Sequence, residues 1–228
     1  MANPKNVSPK QINLTPEIIL QAYSAGIFPM AKSRHDNELF WVDPEQRGVI
    51  PLDGLHVSRS LKKQVRQNKF NIRYNTDFKG IIMRCAEQTK GRHETWINDK
   101  IIALYTQLFK EGYVQTVECW QDEELVGGLY GISLKGAFFG ESMFSYESNA
   151  SKIALIHLIA RLNEDGFALL DTQFTTDHLT SLGAIEISRS NYLDQLDKAL
   201  LINTKFNTHG SELSHQIYIE KLLSNKPR

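Results

Sequence analysis

The stretch YVQTVECWQDEELVGGLYGISLKGAFFGESMFS, residues 113–145, decides the fold. Three segments within it, 113–120, 124–134 and 137–145, are dense in Val, Ile, Leu and aromatic residues, which suits pleated, largely buried strands. The joins QDE and KG carry tight-turn chemistry, so the spacing predicts an antiparallel meander. A helix is predicted next, over 149–163, and the apolar run entering FALLDTQ predicts a further strand over 167–173. The order strand, strand, strand, helix, strand, with glycine interrupting the third strand, is that of acyl-transfer domains of the acetyltransferase (GNAT) type. An α+β layer arrangement follows.

Upstream, NLTPEIILQAYSAGIFPM (13–30) begins a helix: Thr15 is placed to cap it, Pro16 suits its first position, Glu17 its first turn, and Gly26 stops it before Pro29. Residues 1–12 are polar and read as a loose arm. Proline breaks 38–44 and 48–52 into short strands or extended loops. Helices are predicted over 58–67, 76–88, 98–112 (capped by Asn98, ended by Gly112) and 189–200, and a strand over 70–75.

A chain of 228 residues suits one medium domain, or a main domain with a small annex. Lys plus Arg and Asp plus Glu both number 26, so net charge neither implies nor excludes a nucleic-acid partner. Cys85 and Cys119 have no metal-ligand spacing and read as buried thiols of a reducing compartment. The first residues lack an apolar leader, and no run of about 18 apolar residues exists to span a bilayer, so a cytoplasmic protein is expected.

Glu141 sits in FFGESMF, where Gly140 permits a bulge. A carboxylate in such surroundings is partnered or put to use, unless it faces solvent from an edge strand. Asp171 and Gln173, two apart at the end of an apolar strand, fall on one face. They either close the strand or project chemistry into a crevice. Trp41, Trp96 and Trp120 lie in or beside polar loops and either pack or stack on a base. Arg59, Lys62, Lys63 and Arg66 fill one broad helix face, which is either solvated or follows a phosphate backbone. The seven histidines form no H-E-x-x-H arrangement, and G-x-S-x-G, G-x-x-x-x-G-K-[ST] and G-x-G-x-x-G are absent. Metal-dependent hydrolysis, serine hydrolysis and ATP or NAD cradling are excluded on that ground.

Taken together, AYSAGIFPM, FWVDP, RGVIPL, HVSRSLKK, TWIN, ELVGGLYG, FFGESMFS, NASK, LLDTQ and SLGAIEI closely resemble the leucyl/phenylalanyl-tRNA–protein transferases, in order from about residue 13 to about residue 200. The resemblance implies transfer of Leu or Phe, and Met less well, from aminoacyl-tRNA to the N-terminal amine of proteins beginning with Arg or Lys. That addition marks them for the N-degron (N-end rule) route. It also implies an acetyltransferase-like domain over 61–228, a small N-terminal domain over 1–60, a monomer, no membrane partner, and neither metal nor cofactor, because the donor is already an activated ester.

By the same resemblance, Asp171 holds Gln173, Gln173 contacts the amine or the reacting carbonyl, and Glu141 helps bind the acceptor N-terminus. Asp171 is either a general base or an orienting group. The aminoacyl pocket would be lined by Leu129, Phe138, Met143, Leu155, Leu158 and Leu170. Trp96 would lie near the terminal adenosine of the tRNA, with Arg59, Lys62, Lys63 and Arg66 on the acceptor stem. Met30 stands where relatives often carry a tryptophan that helps hold the adenosine, a contact that would here be either weaker or replaced by Trp41. Thr176 stands where some carry Asn, which removes a side-chain amide. An acyl-CoA-dependent acetyltransferase would want a glycine-rich pyrophosphate loop before the long helix, and SYESNASK supplies none. A non-catalytic tRNA- or peptide-binding module is the third reading.

Overall fold

The computed structural model describes residues 14–36, 38–88, 95–209 and 212–224, so the expected arm at 1–12 lies outside the described residues. Local signals set the first elements. Thr15 Oγ1 accepts from the Ile18 amide and starts α1 (Pro16–Ser24); Gly26, at φ 81°, turns the chain out of it. Two strands, β1 (Phe28–Ala31) and β2 (Leu39–Val42), then pair with each other as a separate antiparallel ribbon. The strand expected over 48–52 forms slightly earlier, as β3 (Gln46–Val49), because Pro51 cannot join a ladder.

α2 (Arg59–Arg66), β4 (Asn71–Tyr74), α3 (Phe78–Cys85) and α4 (Asp99–Lys110) follow within the expected spans. Asn98 caps α4 through its side chain, and Gly112 ends it at φ 83°. The meander is β5 (Val114–Gln121), β6 (Glu124–Leu134) and β7 (Ala137–Ser145). α5 (Ala150–Asp165), β8 (Leu169–Gln173), a short α6 (Asp177–Thr180), β9 (Ile185–Ser188), α7 (Arg189–Leu200) and α8 (Glu212–Ser224) complete the chain. β1, α6, β9 and α8 are additions to the sequence reading.

Seven strands form one mixed sheet in the order β4-β5-β6-β7-β8-β3-β9, in which only β7 and β8 run parallel. The α5 crossover makes that parallel step possible. β3 inserts between β8 and β9, so an early segment of the chain becomes an interior strand. A core lies on each face of the sheet. One gathers Tyr23, Ile81, Tyr105, Phe139 and Tyr192 under α1, α3, α4 and α7. The other gathers Leu61, Phe138, Leu155, Leu158, Leu170 and Ile219 under α2, α5 and α8. α5 is buried nearly all round, as a helix pressed between a sheet and another helix must be. Cys85 and Cys119 are buried free thiols, and burial pushes the Cys119 thiol up to about 12. No helix among the described residues is long and apolar enough to cross a membrane.

Two irregularities open the sheet. β6 pairs Tyr130 with Ser142 and Gly131 with Gly140, which leaves Glu141 as the extra residue of a bulge. A Cβ at Gly131 would sit 2.3 Å from the Phe139 carbonyl oxygen, so only glycine admits that close approach. The β7–β8 ladder ends at Phe139 and Asp171. Beyond that pair, Gly140–Met143 and Thr172 border a cavity.

Candidate active site

The cavity beside the end of that ladder has a volume of about 240 Å³. Leu129, Met143, Leu155, Leu158 and Leu170 form its apolar wall; Glu141, Thr172, Thr176 and His178 supply polar atoms. Five of the six residues expected to form an aminoacyl pocket thus come together. Phe138 does not line the cavity: it is fully buried in the adjoining core, with its ring in the space a Cβ at Gly131 would take and tilted against Phe206. Strand alternation explains the split at β8. Leu170 and Thr172 face the cavity, and Asp171 turns to the opposite face.

There Asp171, fully buried, meets Arg47, which is 1% exposed. The guanidinium donates from Nε to Oδ1 at 2.9 Å and from Nη2 to Oδ2 at 2.6 Å, a bidentate pair. Tyr192 donates to Oδ2 at 2.8 Å, and the Gln173 amide donates to Oδ1 at 2.8 Å. Arg47 also donates to the Gly26 carbonyl and lies between the rings of Phe28 and Tyr192, at 4.6 and 4.3 Å from their centroids. Burial works to lower the Arg47 pKa, but Asp171 prevails and raises it. With both carboxylate oxygens engaged, Asp171 is built to hold a geometry.

Gln173 is what it holds. Its φ of 58° lies in the left-handed region, a strain of roughly 1–3 kcal/mol for a non-glycine residue. The side-chain Nε2 is buried and has no partner among the described residues. Gln173 closes β8 immediately after the cavity-lining Thr172, as an amide donor without an acceptor among the described residues.

Glu141 projects from the bulge toward the face that carries Arg47. Tyr23 donates to its Oε1 at 2.5 Å and Tyr105 to its Oε2 at 3.1 Å, while the two phenols sit 2.6 Å apart. Burial raises the Glu141 carboxyl to about 7; the phenol hydrogen bonds pull it down, the negative charge of Asp171 adds to the rise, and Arg47 opposes it. Its ordinary value is 4.5, so from there to about 7 the folded chain holds a proton that the unfolded chain has lost. Stability therefore falls as pH rises through that window. Glu141→Gln is expected to leave stability unchanged at pH 4 and to raise it at pH 8 by on the order of 1–3 kcal/mol, measured by urea unfolding at both values.

Apart from Thr176, which lines the cavity, the remaining sequence candidates lie outside this cluster. Trp41 is 42% exposed on β2, and Trp96 is half-buried against the α3/α4 core. Trp120 donates its indole N–H to Glu118 at 3.0 Å and carries Arg73 over its ring, a structural role. Arg59, Lys63 and Arg66 are exposed on α2, and Lys62 is half-buried. Arg66 pairs with Glu220 of α8 at 2.9 Å. Met30 is half-buried on β1, opposite Phe40. Thr176 Oγ1 caps α6 by accepting from the Leu179 amide. Sequence reasoning missed Arg47, Tyr23, Tyr105, Tyr192, Thr172 and His178. For Arg47 one signal was present: a cation opening the apolar run RGVIPL requires a buried partner.

Comparison with known proteins shows the family. The family model described as leucyl/phenylalanyl-tRNA protein transferase matches residues 49–197, and that family's N-terminal domain model matches residues 13–45. A leucyl/phenylalanyl-tRNA–protein transferase of Paramagnetospirillum magneticum is 53% identical over 198 residues, covering 87% of this chain and 95% of that one. Its counterpart in Rhodospirillum rubrum is 54% identical over 195 residues, covering 86% and 92%. That of Maricaulis maris is 52% identical over 198 residues, covering 87% and 92%. With a family model spanning well over half its length and relatives this similar over most of theirs, the chain belongs to the leucyl/phenylalanyl-tRNA–protein transferase family.

Proposed function

We propose that this chain transfers Leu or Phe, and Met less well, from aminoacyl-tRNA to the N-terminal amine of proteins beginning with Arg or Lys, marking them for N-degron degradation. It acts in the cytoplasm as a monomer and without a cofactor. The observation that carries the reading is the meeting, where β7 and β8 part, of an apolar cavity with Glu141, whose carboxyl is raised to about 7, beside the strand end that carries the Gln173 side-chain amide, unpartnered among the described residues. The apolar wall takes the Leu or Phe side chain and leaves the ester at the mouth. The acceptor amine attacks the ester carbonyl; a C–N bond forms, the C–O bond to the ribose breaks, and the ribose oxygen leaves as a hydroxyl.

In this reading Gln173 contacts the carbonyl as it becomes tetrahedral, and Asp171 orients Gln173 through its main-chain amide. Glu141 binds the acceptor N-terminus. A free α-amine titrates near 7.7–8.0, so a carboxyl near 7 is well matched to accept its proton. The transfer rate is accordingly expected to rise with pH through about 7, and Glu141→Gln to flatten that limb in single-turnover assays. Trp96 and Trp41 are the proposed contacts of the tRNA terminus, and Arg59, Lys62, Lys63 and Arg66 those of its stem; Arg66 would exchange Glu220 for phosphate.

The parallel step between β7 and β8, reached through α5, supports an acetyltransferase-like catalytic fold over 61–228. The small N-terminal domain proposed over 1–60 lends β3 to that sheet and so delivers Arg47 to Asp171. Donor identity tests the reading against an acyl-CoA enzyme of similar layout. With a peptide beginning in Arg, leucyl-tRNA is expected to give product and acetyl-CoA none; acetylation without leucylation would reverse the assignment.

A further inference from the structure

Two polar atoms of the cavity take no part in the chemistry above. Thr172 Oγ1 and His178 Nε2 are buried, have no hydrogen-bond partner among the described residues, and belong to residues that line the cavity. Both are held firmly. Thr172 is backed by Gly48, where a Cβ would come within 2.9 Å of its hydroxyl and 2.6 Å of the Phe174 backbone. His178 stands on α6, fixed by the Thr176 cap and by the Ser181 hydroxyl, which donates to the His178 carbonyl at 2.7 Å. Burial and the charge of Lys152 lower the His178 pKa, so its imidazole is neutral near pH 7 and can donate or accept.

An aminoacyl ester carries three groups on its α-carbon. The apolar wall accounts for the side chain, and Gln173 and Glu141 account for the ester and its attacker. The α-amino group is left, and in such a cavity it must be hydrogen-bonded. Thr176 cannot serve in full, because its hydroxyl already accepts from the Leu179 amide. We propose that Thr172 Oγ1 and His178 Nε2 together bind the α-amino group of the aminoacyl donor, fixing its α-carbon and selecting against donors whose amine is acylated. The proposal rests on the reading of this cavity as the aminoacyl site.

Two unreactive probes test it by calorimetry: 3′-leucylamido-3′-deoxyadenosine with a free amine, and the same compound N-acetylated. The wild-type chain is expected to bind the free amine at least about tenfold more tightly. Thr172→Val and His178→Leu are each expected to cut that ratio to about threefold or less with little change for the acetylated probe, and His178→Gln to keep most of it. Thr172→Val is nearly isosteric and carries the test alone if His178→Leu fails to fold. Equal binding of both probes by the wild type, or equal weakening of both by the variants, would overturn the assignment while leaving the aminoacyl site intact. Binding of neither probe by the wild type would remove the site as well.

Discussion

Arg47→Met is expected to lower stability by about 3–5 kcal/mol in urea unfolding at neutral pH. The substitution keeps most of the side-chain volume but leaves Asp171 fully buried without the Arg47 guanidinium, with Tyr192 and the Gln173 main-chain amide as its remaining donors among the described residues. Desolvation of two ions makes the intact pair a weak net contributor; a lone buried carboxylate is far worse. Adding Asp171→Leu to Arg47→Met is therefore expected to recover part of the loss, so that the double variant is more stable than the single one. A loss below about 1 kcal/mol for Arg47→Met would contradict the structural role given to this pair.

Gln173→Ala is expected to reduce transfer by about 10²–10³-fold while changing tRNA binding by less than about threefold. In the proposed mechanism this is the loss of one donor to a developing oxyanion, because Gln173 Nε2 is buried and has no partner among the described residues. Gln173→Gly sharpens the test. Glycine adopts the φ of 58° without strain, so this variant is expected to be as stable as the parent or about 1 kcal/mol more stable, yet equally slow. A variant that loses tRNA affinity in proportion to rate would make Gln173 a binding residue and not a group that acts on the reacting carbonyl.

Legibility in the sequence followed the range of the interactions concerned. Thr15, Asn98 and Gly112 act within one helical turn, and the helices they bound lie where the sequence places them. The meander was equally legible because its strands are long, contiguous and joined by short turns. β1 and β9 are four residues each and are announced by no local periodicity, and β3, expected a little later, finds its partners β8 and β9 far along the chain, which no local signal gives. The site divides in the same way. The spacing of Asp171 and Gln173 and the bulge at Gly140 could be read directly, whereas Arg47 reaches Asp171 across 124 positions and Tyr23 reaches Glu141 across 118. Phe138 shows the limit of carrying roles over by likeness: it is apolar and in the correct strand, but it packs in the core beside the cavity.

The roles given to Glu141 and Gln173 also connect stability with function. A carboxyl raised to about 7 and a glutamine at positive φ both make the fold less stable than its simplest alternative would be. Stabilising substitutions at these two positions that abolish transfer would be the expected signature of a site where local strain serves chemistry.

The most direct measurement is incorporation of labelled leucine from leucyl-tRNA into two peptides that differ only in their first residue, Arg or Ala. The predicted result is incorporation into the Arg peptide, at its α-amine as located by mass spectrometry, with little into the Ala peptide. No incorporation into either peptide by folded protein that binds leucyl-tRNA would contradict the proposed transfer.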